Sequence, residues 1–201
     1  MKHIRIFILT NKTNLFRVIP IRKSTEIVMG SHTCRKHMEN INKYLIEFQR
    51  APKIIEGNLI KEWFVIGENL FKEFYYLGTS VRWNVLEIKQ NKVEMDDIVS
   101  LISNNQDWLQ SFITIYPGLR IDLEGVSPAV DVCRIRSGIE LLLQGFVDIN
   151  EKFGKVLKDL KELGELDEFD DHLMVWKESH RPDFFPGDKH ADTPESHWWW
   201  F

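Results

Sequence analysis

The chain has 201 residues, 43% of them apolar and 28% charged, with a formal net charge of −4. That composition suits one globular domain with appendages and excludes a globally disordered chain. Its two cysteines, Cys34 and Cys133, exclude a disulfide framework and a cysteine metal quartet, and no apolar run approaches the roughly 18 residues of a membrane span.

The charge is unevenly placed. Residues 1–37 carry eight Lys/Arg and one acid, Glu26, for a net of +7, whereas residues 38–201 carry 18 bases and 29 acids, for −11. The pattern divides the chain into a basic leader at 1–37, a helical domain at 38–177 and an irregular tail at 178–201. Within the leader, "IRIFIL" and "LFRVIPIRK" are strand-like, but Pro20 demotes the second. The leader reads as a flexible basic arm, a targeting segment, or a stretch upstream of a true start at Met29 or Met38. The acidic body repels phosphate, in nucleic acid or at a membrane surface, and attracts basic proteins.

From Met38 the apolar spacing is helical. Ile41, Tyr44, Leu45 and Phe48 fall on one face, in a helix that ends near Pro52. Asn58 can cap a second helix with the stripe Leu59, Trp63, Ile66, Leu70, Phe74 and Leu77, and Gly78 stands at its C′ position. Ile60, Phe64, Phe71 and Tyr75 widen that stripe, which predicts a central helix contacted on more than one side. "SVRWNVLEIK" mixes strand and helix periods. Short helices are expected around 95–103 and 107–116, the latter stopped by Pro117-Gly118, with "LRIDL" as a short strand.

Residues 128–163 read as one long spine helix. Ser127 and Pro128 form its start, and Val132, Ile135, Ile139, Leu142, Phe146, Ile149, Phe153, Val156, Leu160 and Leu163 recur at alternating steps of three and four. Gly138, Gly145 and Gly154 each weaken that helix, which points to close backbone approach or a break. Gly164 interrupts the stripe, which resumes at Leu166, Phe169, Leu173 and Trp176. Asp131–Arg134 and Arg136–Glu140 are spaced as helical ion pairs at the edge of the core. The fold class expected is mainly α: a helical bundle with one spine helix, at most a minor short β element, and an irregular aromatic C-terminal tail.

Two features stand out as candidate contacts. The run "ELGELDEFDD" offers Glu165, Asp167, Glu168, Asp170 and Asp171 with no base among them, an arrangement that suits a basic protein partner. The tail ends in Trp198, Trp199, Trp200 and Phe201, four apolar groups whose burial, on the body or on a partner, outweighs the entropy of ordering them. Tail residues His180, Asp183, Asp188, His190, Asp192 and His197 are of metal-ligating types but lie in loop without helix or strand spacing. No nucleophile elbow, phosphate loop, HExxH or CxxC is present. The function expected is a non-catalytic, cofactor-free acidic protein in the cytoplasm that neutralises or escorts a basic partner, without nucleic-acid or membrane binding. The alternatives are a metal-dependent enzyme using the tail and an oligomeric scaffold using the heptad stripe.

Overall fold

The computed structural model describes residues 23–51, 58–121, 129–146, 164–179 and 191–200, together with positions 155, 158 and 162. Among these the elements are α1 (Lys23–Arg50), α2 (Asn58–Ser80), α3 (Val85–Lys89), α4 (Lys92–Asn104), α5 (Gln106–Ile121), α6 (Ala129–Phe146) and α7 (Glu165–Ser179), and then a single 3₁₀ turn, η1 (Trp198–Trp200). No strand occurs among the described residues, so the mainly α bundle is the fold. None of the described helices is long and apolar enough to cross a membrane.

α2 is the central helix. It packs between α1 and α6 and also touches α5; α4 lies on α1, and α5 pairs with α7. This is what its wide stripe requires: Trp63, Phe64, Leu70, Phe71, Phe74, Tyr75 and Leu77 are all buried, too many for one face to cover. Trp63 meets Phe48 of α1 and Trp108 and Phe112 of α5 at ring-centroid distances of 5.7, 5.9 and 5.5 Å. On α6 the stripe residues Val132, Ile135, Ile139 and Leu142 are buried, and on α7 so are Leu166, Phe169 and Leu173. The expected continuation of the spine helix through 147–163 falls mostly outside the described residues, although positions 155, 158 and 162 are helical. Lys158 and Glu162 form an i,i+4 pair, at 3.4 Å and exposed.

Four expectations change. The leader boundary at residue 37 is not a structural one: α1 runs through it from Lys23 to Arg50. Cys34, on the basic side, is buried and continues the stripe of Met38, Ile41, Leu45 and Phe48; charge reports the solvent face, and burial follows the apolar one. Pro117-Gly118 does not stop α5, which reaches Ile121, so the first three residues of "LRIDL" are helical and its last two lie outside the described residues. Proline forfeits one hydrogen bond of the ladder, while the turns before it are anchored by Leu109, Phe112, Ile113 and Tyr116, all buried. Gly78 lies inside α2, where an added Cβ would sit 2.7 Å from the Trp83 ring. The chain reverses instead at Arg82 and Trp83, both with positive φ (50° and 60°). "SVRWNVLEIK" is therefore a turn and a short helix, capped by Asn84, whose Oδ1 accepts the Leu86 N–H at 3.2 Å.

Gly164 meets its expectation. Its φ is +76° with nothing near its Cβ position, so a left-handed backbone, not lack of space, calls for glycine between the helical position 162 and α7.

Candidate functional site

The polar residues of α6 build the most structured constellation among the described residues. Arg136 is buried, its side chain 5% exposed, and reaches across to α7. Its Nε–H and Nη2–H donate to the two oxygens of Asp170 at 2.6 and 3.0 Å, a bidentate fork, and Nη1–H donates to Glu140 Oε2 at 3.0 Å. Gln144 Nε2 completes the group by donating to Glu140 Oε1 at 2.8 Å. Burial opposes charge on both Arg136 and Glu140, but their mutual attraction and the Asp170 fork prevail. The guanidinium is held above its ordinary value and the Glu140 carboxyl below its own. Arg136–Glu140 was legible as an i,i+4 pair; Asp170, 34 residues on, carried no local signal.

The tail docks on this group. His197 N–H bonds the Pro194 carbonyl at 3.0 Å and Trp200 N–H bonds the His197 carbonyl at 3.1 Å, so a tight turn aims successive indoles into the body. The Trp199 and Trp200 indole N–H groups both donate to Ser137 Oγ, at 3.0 and 2.8 Å, and the Cys133 thiol donates to the Trp199 carbonyl at 3.5 Å. The Arg136 guanidinium lies 4.4 Å from the Trp199 ring centroid, a cation–π contact, and Trp200 stacks on Tyr75 of α2 at 5.6 Å. His197, 1% exposed, stacks on Trp199 at 4.9 Å and meets the edge of Trp83 at 4.6 Å. Trp198 is half-buried, and Asp192 stands 3.8 Å from Arg82.

Ser137→Ala removes the single acceptor shared by two buried indole donors. Each donor left unsatisfied costs about 1–3 kcal/mol, and relaxation of the tail recovers part, so a loss of about 2–3 kcal/mol is expected. Urea denaturation checks it. An unchanged midpoint would mean that this serine does not hold the tail.

The candidate contacts thus separate. Trp199 and Trp200, candidates for docking on the body or on a partner, are buried in the chain's own body, and Asp170 is engaged by Arg136. Asp167, Glu168 and Asp171 are exposed on α7. The Glu165 side chain, Phe201, and His180, Asp183, Asp188 and His190 of the tail lie outside the described residues. Asp192 pairs with Arg82 and His197 is enclosed by indoles, so neither joins a metal-type cluster. Among the described residues no group of three His, Cys, Asp or Glu is arranged to hold a metal ion.

A second polar cluster, unmarked in the sequence beyond Asp131–Arg134, spans α1, α2 and α6. His37 Nδ1 is 2.7 Å from Glu73 Oε2 and its ring stacks on Tyr76, Lys72 Nζ–H donates to Asp131 at 2.6 Å, and Arg134 Nη1–H donates to the same carboxylate at 3.0 Å. These pairs staple three helices. Near this cluster on α1, burial, with Glu87 and Glu94, pushes the Cys34 thiol up to about 11, which disfavours the thiolate that nucleophilic chemistry needs. Compared with known proteins, the chain matches no family model, no curated protein and no solved structure.

Proposed function

We propose that this protein is a non-catalytic binding protein whose acidic surface on α7 meets a basic protein partner, in the manner of a bacterial immunity protein or antitoxin. One observation carries the reading: Asp167, Glu168 and Asp171 are exposed on the outer side of α7, and no base among the described residues pairs with them. The inner side of the same helix is anchored by Leu166, Phe169 and Leu173, and by the Arg136–Asp170 fork. Like charges at i,i+4 slightly destabilise a helix, and here the tertiary anchor offsets that cost. A rigid helix with a like-charged face steers an oppositely charged protein into encounter. The stripe of α6 serves this reading by being internal: its first four residues are buried within the chain, which disfavours a scaffold assembled through them.

The test uses the triple variant Asp167→Asn, Glu168→Gln, Asp171→Asn. Co-purification with products of neighbouring genes supplies basic candidates, and stopped-flow association against ionic strength measures the effect. At least a tenfold slower association at low salt and a flatter salt dependence are expected, with stability unchanged within about 0.5 kcal/mol. Equal association rates at low salt would remove this face from the mechanism.

A further inference from the structure

We infer that segment 191–200 is a proton-sensitive latch: protonation of His197 releases Trp199 and Trp200 from Ser137 while the helical body stays folded. The geometry carries this. The imidazole is almost wholly enclosed, flat against Trp199 and edge-on to Trp83, and its Nδ1 has no hydrogen-bond partner. A neutral ring tolerates that position, because one ring nitrogen of a neutral imidazole carries no proton. The imidazolium has two N–H donors, and Nδ1–H would have no acceptor there, so the charged form carries an uncompensated burial cost.

The neighbouring charges decide the sign. On α6, Arg136 is a fixed cation near His197 and Glu140 an anion; burial comes first among the causes, Glu140 opposes it and Arg136 reinforces it, which holds His197 down to about 4. Glu140 is already engaged by Arg136 and Gln144, and on α7 Asp170 is taken up by the Arg136 fork. From the turn after α2, Arg82 pairs with Asp192 of the tail, and Glu195, two residues before the ring, is exposed. None of these carboxylates is hydrogen-bonded to Nδ1.

An undocked His197 titrates near its ordinary 6.5, so the undocked tail binds more protons than the docked one between that value and about 4. Docking is therefore fully favoured above pH 6.5 and weakens as pH falls, by up to tenfold per unit, until the loss levels off below about 4. The total is roughly 300-fold. A loss of that size releases a tail whose whole hold, the Ser137 hydrogen bonds included, is of that size or weaker. The body is held separately by the α2–α6 and α5–α7 interfaces, so it has no cause to open with the tail.

The test follows the seven tryptophan indole N–H signals by NMR in the full ¹⁵N-labelled chain from pH 7.5 to 4, with helical circular dichroism recorded in parallel. In the wild type, the Trp199 and Trp200 signals are expected to lose exchange protection between pH 6.5 and 4 at constant helicity. In His197→Phe, which keeps a stacking ring but takes no proton, both should stay protected across that range. Three results would overturn the latch: protection retained at pH 4 in the wild type, protection lost over the same window in His197→Phe, or loss only together with helicity. Should the variant fail to dock at pH 7.5, direct titration of the wild-type His197 ring decides: midpoint below 6.5 supports the latch, and one at or above it overturns it.

Discussion

Replacing Gly138 with alanine is expected to destabilise the fold by on the order of 3 kcal/mol or more. Two effects of opposite sign compete. Alanine is the better helix former, by up to about 1 kcal/mol in mid-helix. Its Cβ, however, would lie 1.9 Å from the Phe71 carbonyl oxygen and 2.8 Å from the carbonyl carbon. Those are backbone atoms of a central helix and cannot rotate aside, so α2 and α6 must separate. Separation loosens the buried contacts of Phe71, Phe74, Ile135 and Ile139 together. Gly145 is the control on the same helix. Its added Cβ would meet Val85 Cγ1 at 3.6 Å, an ordinary contact, so Gly145→Ala should be neutral or stabilising by up to about 1 kcal/mol. Paired urea denaturation curves check both, and equal midpoints for the two variants would refute the close-approach reading.

Arg136→Met should cost about 3 kcal/mol at pH 7. Breaking a buried ion pair from one side typically costs 3–5 kcal/mol. The lower end applies because the Asp170 and Glu140 side chains are each 24% exposed, so water reaches the orphaned carboxylates. Methionine keeps most of the stem packing, so the loss reports mainly the fork and the cation over Trp199. Arg136→Lys should recover only part of it, since an ammonium cannot reproduce the bidentate geometry.

The pH dependence gives a second check. In the wild type, Glu140 is held below its ordinary 4.5, so its stabilisation is complete above that value and is lost as pH falls below it. In Arg136→Met the neighbouring carboxylates repel, and protonating one relieves the repulsion. The gap between variant and wild type should therefore narrow as pH drops toward 4. Melting temperatures from pH 7 to 4 test this, and a gap that widens in acid would contradict the assignment of Arg136 as the stabilising cation.

Sequence reading succeeded where a property is local. The three-and-four spacing of Val132, Ile135, Ile139 and Leu142 marks a buried face because helix geometry alone places those side chains together. Asp131–Arg134 and Arg136–Glu140 were legible for the same reason. It erred where a surface property stood in for a core one: net charge suggested a boundary at residue 37, yet Cys34 lies on the same buried stripe as Met38. It also erred where packing overrode a local breaker, as at Pro117 within α5.

By itself, then, the sequence determined that the chain is a helical bundle, that α2 is its centre, and that the terminal indoles are too apolar to stand in water. These conclusions need only periodicity and transfer free energy, which each short window carries. The tertiary structure alone decided which acids stay outside and where the indoles go. Asp170 turned inward to Arg136 while Asp167 and Asp171 remained exposed, and the two indoles found a common acceptor in Ser137. The physical reason is the same in each case. A hydrogen bond spans about 3 Å of space but here joins residues 34 or more positions apart, and nothing in a local window encodes which distant group will arrive.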